Sequence, residues 1–366
     1  MSDWREYKTL SLDGKTKSLQ GWRAHAQQLL QEGYGLGELE DIMEFVVDWS
    51  NRKEWIETRT SGSTGRPKNI KIKKEDILSS ALRTIEYLGL KAGHSTLLCM
   101  PNRFIGGKMM IARSIIGGFN LHIAESTSKP EIPDGVSINF AALVPLQLHN
   151  IVNDPASAKE WKKVDTIIVG GGKMDSSLEE KLKDWPNRIF ESFGMTETVS
   201  HIGLRRVNGS DASAFFEVLP NIEIERDEEN CLVIRSESIP KSPLTTKDIV
   251  EIEEGKMFKW IGRSDNMINS GGVKIIPEVL EKLVKPLINT SFFFAGVPDD
   301  QLGERVTLVM ESQPLSEMDE DELMKDLRKE LHKFEVPKEI HYVPAFEETE
   351  SGKIHRKKTV KAMLAK

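Results

Sequence analysis

Cysteine is nearly missing from this sequence: only Cys99 and Cys231 are present, with no close spacing between them, which gives no sign of a disulfide framework. Cys99 lies in the apolar run LLCM and reads as a buried, inert thiol. Long hydrophobic runs are absent too. The longest, such as 291–297 (SFFFAGV), are far too short to cross a bilayer. The first residues, MSDWREYKTL, hold no apolar stretch of signal-peptide type. Nor is there an excess of positive charge: the formal net charge is -7, which gives no attraction to nucleic acid or anionic membranes. No internal repeat and no low-complexity segment stands out. These absences describe a reduced, cytoplasmic protein with no membrane span and no nucleic-acid partner.

What is present is an ordinary globular composition, 39% hydrophobic and 29% charged, over 366 residues. That length allows two or three domains. Apolar residues at three- and four-residue spacing predict helices over 18–31, 38–49 and 75–90, with NIKIKK between them as an exposed strand. From residue 95 short apolar strands alternate with helices: strand 95–100, helix 108–116, strand 164–169, helix 176–185, strand 188–193. This alternation predicts α/β architecture rich in parallel sheet. Hairpin-like spacing over 222–261 predicts an antiparallel, barrel-like part. The polar, glycine-bearing GRSDNMINSGG then reads as a linker. Beyond it a compact α+β set is expected: helix 278–288, strands 292–297 and 305–311, helix 320–334, strand 339–343. The boundary falls at 263–266, dividing a domain 1–264 from a small mobile domain 265–366.

The strongest local signal is TSGSTGRPK at 60–68. Gly62 and Gly65 free the backbone to bend around an anion and turn N–H groups inward. Thr60, Ser61, Ser63 and Thr64 add hydroxyl donors, and Lys68 adds charge. A flexible Ser/Gly linker is the bland reading, against which stand the rigid Pro67 and the strand pattern that follows. A Walker loop is excluded, because Pro67 separates glycine from lysine and Asn69 follows where a Ser or Thr is required.

TSGSTGRPK resembles the phosphate-loop signature of the acyl-adenylate-forming superfamily. GGGK (170–173), ESFGMTE (191–197), TKD (246–248), GRSDNMINSGGVK (262–274) and SGK (351–353) follow in that family's order, making six motifs. The resemblance implies an acyl-CoA synthetase-like fold, N-terminally shortened, since family members commonly carry a much longer segment before the phosphate loop than the 59 residues here. It implies an ATP-dependent acid–thiol ligase that uses Mg²⁺ and takes CoA as co-substrate. A carboxylate attacks the α-phosphate to give an acyl-adenylate, and a thiol then displaces AMP.

By resemblance, Gly171 and Gly172 line the adenine pocket with Ser192 and Phe193. Thr196 donates to the α-phosphate, and Glu197 holds Mg²⁺, as a hard oxygen ligand can. Asp248 and Arg263 hold the ribose hydroxyls, although the family's Thr-Gly-Asp reads Thr-Lys-Asp here. Lys353 reaches from the small domain to the substrate carboxylate and the α-phosphate, offsetting the repulsion of two anions. Asp265 is the hinge, and Gly271 and Gly272 border the CoA tunnel.

SFGMTETVSHIGLR and GRSDNMINSGGVKIIPEVLE are similar to the short o-succinylbenzoate–CoA ligases of menaquinone synthesis. That substrate is a dicarboxylate, so its pocket needs a cation or donors for the carboxylate that does not react. Lys108 is the candidate cation, with Arg113 behind it. His201 either faces the same pocket or is an ordinary polar neighbour. Open alternatives are another aryl or fatty acid, adenylation for a carrier protein, and a non-catalytic nucleotide-binding regulator.

Overall fold

The computed structural model describes residues 3–59, 69–253, 256–349 and 354–365. Its main feature is a sheet of thirteen strands with two characters. One half is a parallel run in the order Thr9–Leu12, Asn120–Ile123, Ser95–Leu98, Phe140–Leu143, Thr166–Val169, Arg188–Gly194, edged by the antiparallel strand Lys15–Ser18. Phe140–Leu143 and Thr166–Val169 are buried at every position, as strands covered on both faces must be.

Alternate residues serve the two faces. Leu98, Ala142, Ile168 and Phe190 join one core with the helices Leu19–Gln31, Glu38–Ser50, Lys74–Leu88 and Ile105–Gly117. Leu97, Ala141, Ile167 and Ile189 join another with Pro145–Val152, Pro155–Trp161 and Ser176–Leu182. Helices on both faces of a parallel sheet are the α/β layering expected.

The antiparallel half follows without a break. His201–Arg206 pairs with Arg188–Gly194, and Phe216–Val218, Met257–Arg263, Leu244–Glu253, Cys231–Arg235 and Glu223–Arg226 continue the order. Their own core includes Ile202, Phe216, Leu232, Ile234, Val250 and Phe258. The barrel-like part is thus continuous with the parallel sheet, joined where Arg188–Gly194 is parallel to one neighbour and antiparallel to the other.

The C-terminal domain has a five-stranded sheet of Ile268–Ser270, Val273–Ile275, Gly303–Glu311, Phe292–Asp299 and Glu339–Val343. The helices Pro277–Val284, Glu317–Glu330 and Arg356–Leu364 accompany it. The expected linker is only partly one. Residues 264–266 make a single 3₁₀ turn, but Ile268–Ser270 and Val273–Ile275 form a hairpin. Gly271 and Gly272 have φ of 59° and 84°, the paired left-handed residues that a two-residue hairpin turn demands.

Local rules account for several shifted boundaries. Ser18 is a cap rather than a helical residue, its hydroxyl accepting from Gly21 N at 3.0 Å. Gly89, at φ 67°, stops the third helix at Leu88. The phosphate-loop segment 60–68 lies outside the described residues, but its flanks are a hairpin. Trp55–Arg59 pairs with Asn69–Lys73 in register up to Arg59↔Asn69.

Candidate active site

The site lies where the sheet changes character, at the carboxyl ends of the parallel strands, the usual position for ligands in an open α/β sheet. Thr166–Val169 ends in the loop 170–173. That loop is held from the next strand: the buried Glu191 carboxylate accepts from Met174 N at 2.9 Å. Glu191 is in turn paired with Arg205, whose Nε and Nη2 lie 2.9 and 2.6 Å away. Ser192 Oγ donates to Val169 O at 3.1 Å, and a Cβ on Gly170 would stand 2.6 Å from that hydroxyl. A side chain at that position would have to displace the Ser192 hydroxyl from its bond to Val169 O. Gly171, at φ 83°, then turns the loop away.

Lys173 carries the loop across to the antiparallel half. Its ammonium sits 4.8 Å from the Trp260 ring centroid, and burial pushes it below the usual lysine range, opposed by Glu191. Trp260 Nε1 donates to Asp248 Oδ1 at 2.9 Å, and Arg263 Nη1 is 3.5 Å from the same oxygen. Burial raises the Asp248 carboxyl, with Trp260 and Arg263 working the other way. Arg263 is chiefly engaged by Asp265, in a two-pronged pair at 2.8 and 3.0 Å. Asp248, Arg263 and Asp265, expected as the ribose pair and the hinge, therefore form one cluster, and the GGGK loop touches it through a tryptophan that sequence reasoning passed over.

The strand Arg188–Gly194 leads into Met195, the 3₁₀ turn Thr196–Thr198 and back into His201–Arg206. A Cβ on Gly194 would collide with Ser200 O and His201 Cα. Thr198 Oγ1 accepts from Met195 N at 3.0 Å and donates toward Ser200 O at 2.7 Å. The turn forces fully buried Val199 to φ 68°, a conformation that strains a β-branched residue by about 1–3 kcal/mol. The outcome is an exposed Glu197 whose carboxylate has no hydrogen bond or ion pair among the described residues. Phe193 is partly exposed but packs edge-on to Phe216 and Phe258, with centroids 5.8 and 5.0 Å away.

Behind this turn lies a buried polar group. Arg113, 3% exposed, projects from Ile105–Gly117 and donates from Nη2 to Ser200 Oγ at 3.0 Å. Among the described residues its Nε has no hydrogen-bond partner and no carboxylate pairs with it. Burial pushes its guanidinium down to about 9. His201 is also buried, with Nε2 3.0 Å from Thr84 Oγ1 and Nδ1 3.4 Å from Ser200 Oγ. Burial, with Arg113 and Arg83 nearby, holds the imidazole well below its usual range.

Lys108 is placed differently. It is buried and below the usual lysine range through desolvation, and the charges opposing that shift are Asp48, Glu44 and Asp41 of the helix Glu38–Ser50. Five residues along a helix is about 140° around it, so Lys108 and Arg113 serve different faces. A lone arginine inside the apolar run MMIARSII is the sequence signal for a buried cation at Arg113.

Gly271 and Gly272 form the exposed tip of the C-terminal hairpin, where Gly271 N donates to Leu302 O at 2.8 Å. Thr60, Ser61, Gly62, Ser63, Thr64, Gly65, Lys68 and Lys353 lie outside the described residues.

With the geometry in place, comparison with known proteins is decisive. The AMP-binding enzyme family matches residues 59–229, and the AMP-binding enzyme C-terminal domain matches 293–353. A solved acyl-CoA synthetase (AMP-forming)/AMP-acid ligase II-like protein from Dyadobacter fermentans is 33% identical, with a TM-score of 0.60 over 88% of this chain and 93% of that one. The chain belongs to the AMP-binding enzyme family. A 2-succinylbenzoate–CoA ligase of Listeria monocytogenes is 28% identical over 343 residues, 86% of this chain and 71% of that protein. The fold is shared with the o-succinylbenzoate coenzyme A synthetase of Bacillus subtilis solved with ATP and magnesium ion. There the TM-score is 0.68 at 19% identity, over 83% of this chain and 69% of that one. No helix among the described residues is long and apolar enough to cross a membrane.

Proposed function

We propose that this enzyme activates a carboxylic acid with ATP, forming an acyl-adenylate, and passes the acyl group to CoA, with 2-succinylbenzoate as the acid. The observation that carries this reading is the contact chain through four of the sequence motifs. Glu191 and Met174 join the ESFGMTE strand to the GGGK loop, Lys173 and Trp260 reach the opposite half, and Asp248 and Arg263 close it. Glycine loops that suit close nucleotide approach thus abut an aspartate suited to ribose hydroxyls.

The residues present fit a magnesium ion. Mg²⁺ keeps most of its waters and takes one or two carboxylates plus substrate phosphates, and Glu197 offers one exposed carboxylate without a partner among the described residues. No group of three His, Cys, Asp or Glu among the described residues forms an all-protein cage. When bound, the ion neutralises charge on the phosphates. Thr196 would donate to the α-phosphate and Lys353 would reach both reacting anions, positioning and charge stabilisation being nearly all that phosphoryl chemistry asks of a protein. Gly171, Gly172, Ser192 and Phe193 would border adenine, Asp265 would be the hinge between the domains 1–264 and 265–366, and Gly271 and Gly272 would flank the CoA thiol path.

Arg113 supports the choice of acid. A buried guanidinium with one hydroxyl partner suits an anionic ligand group, and a dicarboxylate supplies one beyond the carboxylate that reacts. The test is a panel of acids scored for AMP release with CoA, including 2-succinylbenzoate and the same acid with its aryl carboxylate replaced by hydrogen. Preference for the dicarboxylate supports the reading. Equal use of both removes Arg113 from substrate recognition.

A further inference from the structure

We infer that His201 is a positioning residue for acid recognition: fixed as its Nε2–H tautomer between Thr84 and Ser200, it orients the Ser200 hydroxyl so that Arg113 faces the acid's second anionic group. The inference rests on the reading of Arg113 given above and goes beyond it, to a residue that does not itself touch substrate.

The argument follows the protons. Thr84 Oγ1 lies 3.1 Å from Ser80 O, a carbonyl that can only accept, so its single proton is committed there. Thr84 Oγ1 must then accept from His201, 3.0 Å away, which puts the imidazole proton on Nε2. The other ring nitrogen, Nδ1, is left as an acceptor facing Ser200 Oγ at 3.4 Å. Ser200 Oγ also lies 3.0 Å from Arg113 Nη2, and a guanidinium can only donate. The one assignment that satisfies every partner runs from Arg113 to Ser200, from Ser200 to His201, from His201 to Thr84 and from Thr84 to Ser80.

Arg113, His201 and Thr84 come from three different elements. Arg113 comes from Ile105–Gly117, His201 from the strand His201–Arg206 and Thr84 from Lys74–Leu88, the helix that directly follows the phosphate-loop hairpin. Thr84, His201 and Arg113 are all less than a tenth exposed, so water is poorly placed to substitute for a lost partner. Burial, with the Arg113 and Arg83 charges adding to it, keeps the ring neutral, and the chain keeps its direction. The Arg113 Nε makes no hydrogen bond among the described residues.

Paired variants separate positioning from packing. In His201→Asn the amide oxygen stands near the position of Nδ1 and keeps an acceptor for Ser200. In His201→Gln the amide lies near Nε2 and keeps only the Thr84 side. The assay measures KM and kcat for 2-succinylbenzoate and for the analogue lacking its aryl carboxylate. For His201→Gln, KM for the dicarboxylate is expected to rise roughly tenfold with kcat little changed, and KM for the analogue to hold. His201→Asn should recover to within about threefold of wild type. Imidazole ¹⁵N shifts of the wild type should report a neutral Nε2–H ring from about pH 6 to 8.

A wild type that prefers the dicarboxylate while both variants keep that preference would sink the role of His201 alone. Equal losses for both acids would reduce it to packing, and a ring found as the Nδ1–H tautomer would reverse the chain. A wild type with no preference between the acids overturns the reading of Arg113 itself, and this inference with it.

Discussion

The two ends of the strand His201–Arg206 treat a buried guanidinium in opposite ways. At one end Arg205 is 2.5 Å from Glu179 and 2.6 Å from Glu191, and it also donates to Ser213 O. Its partners hold it above the usual arginine range despite burial. At the other end Arg113 donates to one serine hydroxyl, and burial alone drives it down. A saturated guanidinium ties elements together, here the helix Ser176–Leu182 to the ESFGMTE strand. An unsaturated one is unfavourable unless a ligand completes it. Arg83 stands between the extremes. It donates to Ser238 Oγ, feels Asp76 without a direct pair, and keeps two nitrogens unpartnered.

The hardest challenge to this contrast is whether the Arg113 end belongs to an active site at all. Lys353→Ala is expected to cut acid-dependent pyrophosphate release on the order of a thousandfold while sparing thioester formation from supplied acyl-adenylate. Normal pyrophosphate release by that variant would refute the assignment. Next is the saturated end. Arg205→Met should lower unfolding free energy by about 3–5 kcal/mol, read by denaturant titration, because Glu191 is left buried and unpaired. Arg113→Met should keep or gain stability, yet raise KM for the dicarboxylate roughly 30- to 150-fold, the equivalent of about 2–3 kcal/mol of charged hydrogen bonding. If the two variants exchanged these phenotypes, the contrast would be broken.

Asp265→Pro, which stiffens the turn and frees Arg263, should slow thiolation roughly tenfold more than adenylation. Equal slowing of both half-reactions would argue against a hinge. The smallest effect concerns Asp76, which burial raises to about 6 from 3.8. The folded state then holds its proton more tightly than the unfolded one, so this group's contribution to stability falls as pH rises from about 4 to 6. Asp76→Asn should remove that slope, a difference of about 1–2 kcal/mol in unfolding measured across the range. An unchanged slope would show the carboxyl to be well solvated.

Much of this was legible beforehand, and the residues show why. Thr166–Val169 and Arg188–Gly194 announced themselves as apolar runs beside glycine. Phe140–Leu143 did not, having no glycine beside it, and Thr9–Leu12 and Asn120–Ile123 were passed over although Asp13-Gly14 follows the first and Gly117-Gly118 precedes the second. Their strand character comes from neighbours in the sheet. The hairpin in GRSDNMINSGG was concealed for a related reason: Ile268 is buried by distant residues such as Leu280, Phe294 and Leu308. Motif order marked Glu197, Asp248 and Arg263, but a motif says nothing about which cation in PNRFIGGKMMIAR turns inward.

The sequence by itself determined the chemistry class, because glycines, hydroxyls and acids at fixed spacing can be recognised wherever they fold. It also determined the helical and parallel-sheet periodicity, which is local. Only the tertiary structure decided that Lys108 sits near the acids of one helix while Arg113 is enclosed beside Ser200, and that His201 has its hydrogen-bond roles fixed from both sides. Those outcomes depend on which distant surfaces exclude water from a side chain, and no short stretch of sequence carries that information.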